Sequence, residues 1–149
     1  EIHLNIHEMT SVSNGRREIK VRGDGNCFYR AIARAVDGKT DEAHLTFRDM
    51  CNEMIAEYEY PDVFEPYLFN TESVEEHVRK SVKAGTWAET IDIFSCATAL
   101  QCTILVYTVS SEKWMKFEPR VKCPATIARN RAGDCPFTLI LHDLNPAFS

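Results

Sequence analysis

Apolar residues along the chain recur in two distinct periods. Phe28, Ala31, Ile32 and Ala35 fall at helical spacing, so a helix is expected over about 27–36, closed by Gly38. A second helix is expected over about 41–58, with Phe47, Cys51, Met54, Ile55 and Tyr58 as its stripe and charges opposite. Pro61 stops it, and 62–70 is aromatic and irregular. Ser73-Val74-Glu75-Glu76 has capping-box spacing and opens a helix with Val74, Val78 and Val82 inward. Thr86-Trp87-Ala88-Glu89 reads as a second capping box. The helix after it, to about Leu100, is apolar over so wide an arc that it should be central and buried.

The remaining pattern is extended. Residues 103–109 are β-branched and continuously apolar, as in a strand covered on both faces. Glu112-Lys113 suits a hairpin turn, with 114–117 as the return strand. Residues 137–142 form a last strand that ends in His142. Ile2, Leu4 and Ile6 alternate with polar residues as in a strand, 11–17 reads as a turn, and 18–22 as an extended lead-in. Between 118 and 136 lies a long loop made locally basic by Arg120, Lys122, Arg129 and Arg131. Together these elements predict an α+β fold with a small sheet among helices. The chain reads as one domain over 1–149, with 1–17 an N-terminal extension of undecided structure.

Composition narrows the class. A chain of 149 residues, 44% hydrophobic, can bury a sizeable core. Its 17 basic and 22 acidic residues give a net charge of −5, which argues against nucleic acid as a partner. No apolar run is long enough for a membrane span. The six cysteines include no Cys-x-x-Cys pair, so neither a structural zinc site nor a disulfide framework is expected, and the compartment should be reducing: cytoplasm or nucleus. Cys51, Cys96 and Cys102 read as core packing. His3 and His7 read as surface residues of a strand and His44 as a surface residue of a helix, so no metal or other cofactor is expected.

The candidate chemistry sits in Asp24-Gly25-Asn26-Cys27. Gly25 permits a tight entry, Asn26 is a favourable N-cap, and Cys27 begins the helix. A thiol there lies over unpaired backbone N–H groups and the positive end of the helix dipole, which favour the nucleophilic thiolate. The same N–H groups can receive the oxyanion of a tetrahedral intermediate. The plain alternative is a buried cysteine acting as a small hydrophobe. His142, at the end of a buried strand, is the natural base, since only spatial proximity matters once the fold closes. Its other ring nitrogen needs an orienter. Asp143 would point to the opposite face of an extended chain, which leaves Asn145 beyond the strand and Asp24 in the loop.

Asp24-Gly25-Asn26-Cys27-Phe28-Tyr29-Arg30 resembles the signature of the ovarian tumour (OTU) cysteine proteases. Gly85-Thr86-Trp87-Ala88-Glu89 with the helix after it resembles the family's Trp-led segment, Ile104-Leu105-Val106-Tyr107 its central strand, and 138–142 its terminal strand. The resemblance implies a papain-like arrangement with Cys27 as nucleophile, His142 as general base and Asp24 as the acidic residue three before the nucleophile. It also implies a loop through Gly25 and Asn26 that supplies oxyanion donors. Family members commonly have an aromatic after the histidine and then Asp or Asn. Here Asp143 and Leu144 follow, with Asn145 one position later, so the orienter is displaced and Asn145 is the favoured substitute.

Two functions follow from the resemblance. One is a deubiquitinase, acting as a monomer, that cleaves ubiquitin or a ubiquitin-like modifier from lysine isopeptide or peptide bonds through a thioester. The other is a ubiquitin-binding module with weakened catalysis, using 64–69 and the basic loop 120–131 as its contact surface.

Overall fold

In the computed structural model, residues 2–7, 17–37, 40–56, 61–68, 72–108, 112–122 and 138–143 are described. The elements are β1 (Ile2–His7), β2 (Arg17–Lys20), α1 (Cys27–Asp37), α2 (His44–Ala56), α3 (Pro61–Phe64) with a 3-10 turn (Glu65–Tyr67), α4 (Val74–Ser81), α5 (Thr90–Leu100), β3 (Thr103–Thr108), β4 (Lys113–Phe117) and β5 (Thr138–Asp143). The fold is α+β. Most expected elements fall where the periodicity places them. The expected ends at Gly38 and Tyr58, most of the turn at 11–17 and most of the loop 118–136 lie outside the described residues, and Arg17 already belongs to β2.

The five strands form one sheet in the order β2-β1-β5-β3-β4. β5 is parallel to β3 and antiparallel to β1, while the hairpin strands β3 and β4 pair antiparallel. Ile2–His7 is therefore an interior strand between β2 and β5. Along β3 the side chains of Ile104 and Val106 are buried. Their cross-strand partners are Leu139 and Leu141 on β5 and Phe117 and Met115 on β4. Leu139 and Leu141 in turn pair with Ile6 and Leu4 on β1.

Helices α1 and α5 share a single core with β3 and β4. Phe28, Tyr29, Ala31 and Ile32 of α1 cluster with Ile93, Cys96, Ala97 and Leu100 of α5 and with Ile104, Val106 and Phe117. Helix α5 is buried along nearly its whole length, as its broad apolar arc requires. It ends on Gln101, in the left-handed conformation at φ 50°, whose side-chain amide donates to Thr98 O at 2.6 Å and Val121 O at 2.9 Å. Those bonds hold a non-glycine residue in a conformation that costs L-residues about 1–2 kcal/mol, and they turn the chain into β3. Cys51, Cys96 and Cys102 are buried thiols without disulfides, and burial pushes the Cys96 thiol well above the ordinary cysteine range.

Three local expectations are corrected by tertiary contacts. Helix α2 starts at His44 because the chain first turns through a His44 N–H bond to Asp41 O at 3.2 Å; His44 itself is half-buried. Thr86 does not cap α5, since its hydroxyl donates to Lys80 O at 3.1 Å. Glu89 takes the N-cap position, and its N–H donates to the Asp92 carboxylate at 2.8 Å. On α4, Ser73 caps as expected, accepting from Glu76 N–H at 3.2 Å, but the buried face is His77 and Ser81 while Val82 is exposed.

Candidate active site

Cys27 occupies the first position of α1, at the end of a loop tied down from four directions. Within the loop, Asp24 folds back on the chain: its Oδ1 accepts the Asn26 N–H at 3.0 Å and its carbonyl accepts the Cys27 N–H at 3.0 Å. From α1, the Arg30 guanidinium grips the same carboxylate through Nε and Nη2 at 3.1–3.3 Å. Burial would raise the Asp24 pKa, but the Arg30 hydrogen bond, the Asn26 N–H and the nearby Arg30 and Arg22 charges outweigh it and hold it below the ordinary value. Asp24 is thus engaged in shaping the loop.

From α2 comes Arg48, fully buried. Its Nη2 donates to Gly25 O at 3.0 Å and Asn26 Oδ1 at 2.9 Å, its Nη1 to Ser81 O at 2.8 Å, and its guanidinium lies 4.4 Å from the centre of the Tyr29 ring. The fourth direction is the α4–α5 connection. Gly85 N–H donates to Asn26 Oδ1 at 2.7 Å, and the Gly85 carbonyl packs so closely on Gly25 that a Cβ there would sit 1.6 Å from it. Gly85 itself has φ +88°, a conformation that favours glycine.

These contacts revise the expected roles of Gly25 and Asn26. Asn26 precedes α1 and its carbonyl accepts the Arg30 N–H at 2.9 Å, but its side chain turns away to bridge Arg48 and Gly85. Gly25 is required because another backbone occupies its side-chain space. The Asn26 and Cys27 N–H groups are both spent on Asp24. An oxyanion at the helix end would have to share or displace those bonds. Cys27 is 1% exposed.

His142 lies on β5, opposite His3 of β1 and Tyr107 of β3. The row continues through Lys20 of β2 and Trp114 of β4. Asp143 pairs with Thr108 in the next row. Asn145 lies outside the described residues.

Sequence reasoning missed Arg48. The signal was present: Arg48, Cys51, Asn52 and Ile55 fall at i, i+3, i+4 and i+7, so an arginine shares the buried stripe of α2. Asn52 supports it from one turn on, donating to Arg48 O at 2.9 Å. The aromatic segment packs in part against the core, with Tyr67 half-buried. Phe64 is fully buried and Tyr67 stacks on Phe94 at 4.0 Å, with the Arg120 guanidinium 5.5 and 5.4 Å from the two rings. Phe69, Arg129 and Arg131 lie outside the described residues.

The sequence model of the OTU-like cysteine proteases matches residues 22–129, from the loop entry to beyond β4. The chain belongs to this family. A similar curated protein is the Arabidopsis thaliana OVARIAN TUMOR DOMAIN-containing deubiquitinating enzyme 7, 30% identical over 100 residues, 67% of this chain and 26% of that one. Another is the mouse OTU domain-containing protein 3, 30% identical over 96 residues, 64% of this chain and 23% of that one. The chain spans about a quarter of the length of these OTU relatives. Among solved structures, the OTU domain of OTUD1 superposes with a TM-score of 0.63 at 22% identity, covering 87% of this chain and 80% of that one. The Hazara virus OTU bound to ubiquitin superposes at 0.54 and 16% identity, covering 78% and 67%. The OTU fold is thus shared across the sheet and helices that carry the Cys27 loop.

Proposed function

We propose that this OTU domain is a cysteine-dependent deubiquitinase. The observation that carries the reading is the placement of Cys27, in a chain of this family, at the N-terminus of α1 on a loop clamped by Arg30, Arg48 and Gly85. Relatives named as deubiquitinating enzymes and an OTU structure bound to ubiquitin support ubiquitin as the modifier; a ubiquitin-like modifier is the other candidate. In the proposed mechanism the Cys27 thiolate attacks the carbonyl carbon of the (iso)peptide bond. The tetrahedral intermediate collapses, the amine leaves with a proton supplied by His142, and a thioester joins Cys27 to the modifier. Water, deprotonated by His142, then attacks the thioester and regenerates the thiol. Asn145 is proposed as the orienter of His142. Asp24 is assigned to holding the loop, since Arg30 occupies its carboxylate.

One second reading is favoured by the burial of Cys27 and by the Asp24 bonds that occupy the Asn26 and Cys27 N–H groups. It is a ubiquitin-binding module with weak or no catalysis. Hydrolysis of a ubiquitin C-terminal fluorogenic amide separates the two. The enzyme reading expects turnover by wild type, none by Cys27→Ala or His142→Ala, and slower turnover by Asn145→Ala. Turnover that survives His142→Ala moves the base to another residue. A folded wild type that binds ubiquitin yet leaves a thiol-reactive ubiquitin probe unlabelled establishes the binding module.

A further inference from the structure

We propose that Glu72, His77 and Glu89 form a binding site for one divalent transition-metal ion of the zinc class, set between α4 and the N-terminus of α5. His77 is 1% exposed. Its Nε2 lies 2.8 Å from Asp92 Oδ1, which also accepts the Ser81 hydroxyl at 3.1 Å, while Asp92 Oδ2 accepts the Glu89 N–H at 2.8 Å. Asp92 is fully buried and acts as an acceptor throughout, so Nε2 carries the proton. The other ring nitrogen, Nδ1, is buried and has no hydrogen-bond partner among the described residues. It faces Glu89 Oε2 at 3.3 Å and Glu72 Oε2 at 3.8 Å.

A neutral imidazole nitrogen with two carboxylate oxygens beside its lone pair is repulsive unless a cation lies among them. A proton on Nδ1 is one such cation. The spacing suits a metal ion better: neither contact has hydrogen-bond geometry, and the three ligand atoms all lie within 4.8 Å of one another. Ligands bound at about 2.0–2.1 Å in a tetrahedron are roughly 3.3 Å apart, which matches the Glu89 contact; Glu72 must move inward to close its separations, 3.8 Å from Nδ1 and within 4.8 Å of the Glu89 oxygen. A histidine whose second ring nitrogen donates to a carboxylate is also the usual support of a metal-bound imidazole. The opposite oxygens of the two glutamates are held by Lys80 Nζ, at 2.8 Å from Glu72 Oε1 and 3.7 Å from Glu89 Oε1. Lys80 therefore orients both carboxylates with their Oε2 atoms toward His77. Burial lowers the His77 pKa, but the Asp92 hydrogen bond and the Asp92, Glu89 and Glu72 charges outweigh it and raise it above the ordinary value, so a proton and a metal ion compete for Nδ1. Three carboxylates against one ammonium leave a charge of about −2 around the neutral ring, which a divalent ion neutralises. Water would complete the coordination.

The bound ion would tie the start of α4 to the start of α5 and so brace the intervening segment, whose Gly85 contacts Gly25 and Asn26. The inference does not rest on the proposed activity. The test uses the full chain in a Cys27→Ala background, which removes the helix-end thiol as a competing ligand. Isothermal titration with zinc and visible spectroscopy with cobalt are run on this protein and on its Glu72→Gln, Glu89→Gln and His77→Gln forms. One equivalent of zinc is expected, with a cobalt spectrum lacking thiolate charge transfer. Affinity is expected to fall at least tenfold in each glutamate variant, whose metal-free melting curves show that they fold. Binding unchanged by both glutamate substitutions, or no binding up to millimolar zinc, overturns the site and leaves a proton on Nδ1 as the cation.

Discussion

Replacing Arg48 by methionine tests whether the loop that carries Cys27 is held from α2. The substitution keeps an unbranched side chain of similar reach and removes every donor. Ser81 O loses a buried partner, and an orphaned buried acceptor costs about 1–3 kcal/mol. Gly25 O and Asn26 Oδ1 are part-buried, and Asn26 Oδ1 keeps Gly85 N–H, so roughly 1 kcal/mol each is appropriate. Loss of the guanidinium from the Tyr29 ring adds about 0.5–1 kcal/mol. Release of a buried charge offsets part of this, and a net destabilisation of about 3–5 kcal/mol is expected. At about 2–4 °C per kcal/mol for a domain of this size, the melting temperature should fall by roughly 6–20 °C. Arg48→Lys should recover less than half, because an ammonium cannot reproduce the planar fork that spans Gly25, Asn26 and Ser81. Urea denaturation measures the stability, and kcat/KM on the fluorogenic ubiquitin amide, taken where the variant is fully folded, measures the loop. A loss below about 1 kcal/mol with unchanged kcat/KM refutes the idea that Arg48 positions the Cys27 loop.

Gly25→Ala places a Cβ on the Gly85 carbonyl; it should cost at least the roughly 1–3 kcal/mol of overpacking and abolish turnover, and a fully active variant would show that the two loops are not pressed together in solution. Gly85→Ala meets open space but keeps φ +88°, so urea denaturation should show a loss of about 1–2 kcal/mol from conformation alone. The Asp24 carboxylate has a lowered pKa in the folded protein, so its contribution is complete well above its ordinary value of 3.8 and is lost as pH falls through the folded value. The stability difference between wild type and Asp24→Asn should accordingly be flat near neutrality and shrink below about pH 4; a difference that grows on acidification contradicts the Asp24–Arg30 pairing. Ser73→Ala removes the α4 cap and should cost about 1 kcal/mol by denaturation, without changing kcat/KM.

The local elements were legible because each is written in a short window. The start of α1 at Cys27, the burial of α5 and the alternation of β1 all follow from spacing within a dozen residues. Family membership was legible for the same reason, since the motifs around Cys27 and Trp87 are contiguous. What the tertiary structure alone decided is where distant segments meet. No local period announces that β1 lies inside the sheet beside β5, that the Gly85 carbonyl fills the space beside Gly25, or that Asn26 turns from its own helix toward Arg48. Arg48 and His77 show the limit most clearly. Both occupy inward helical positions, yet a charged or polar residue there is stable only when partners from other elements satisfy it, as Gly25, Asn26 and Ser81 do for Arg48 and Asp92 does for His77. Helical and strand periods are set by interactions among near neighbours. Burial of a polar group is decided by partners dozens of residues away, and those exist only once the chain has closed.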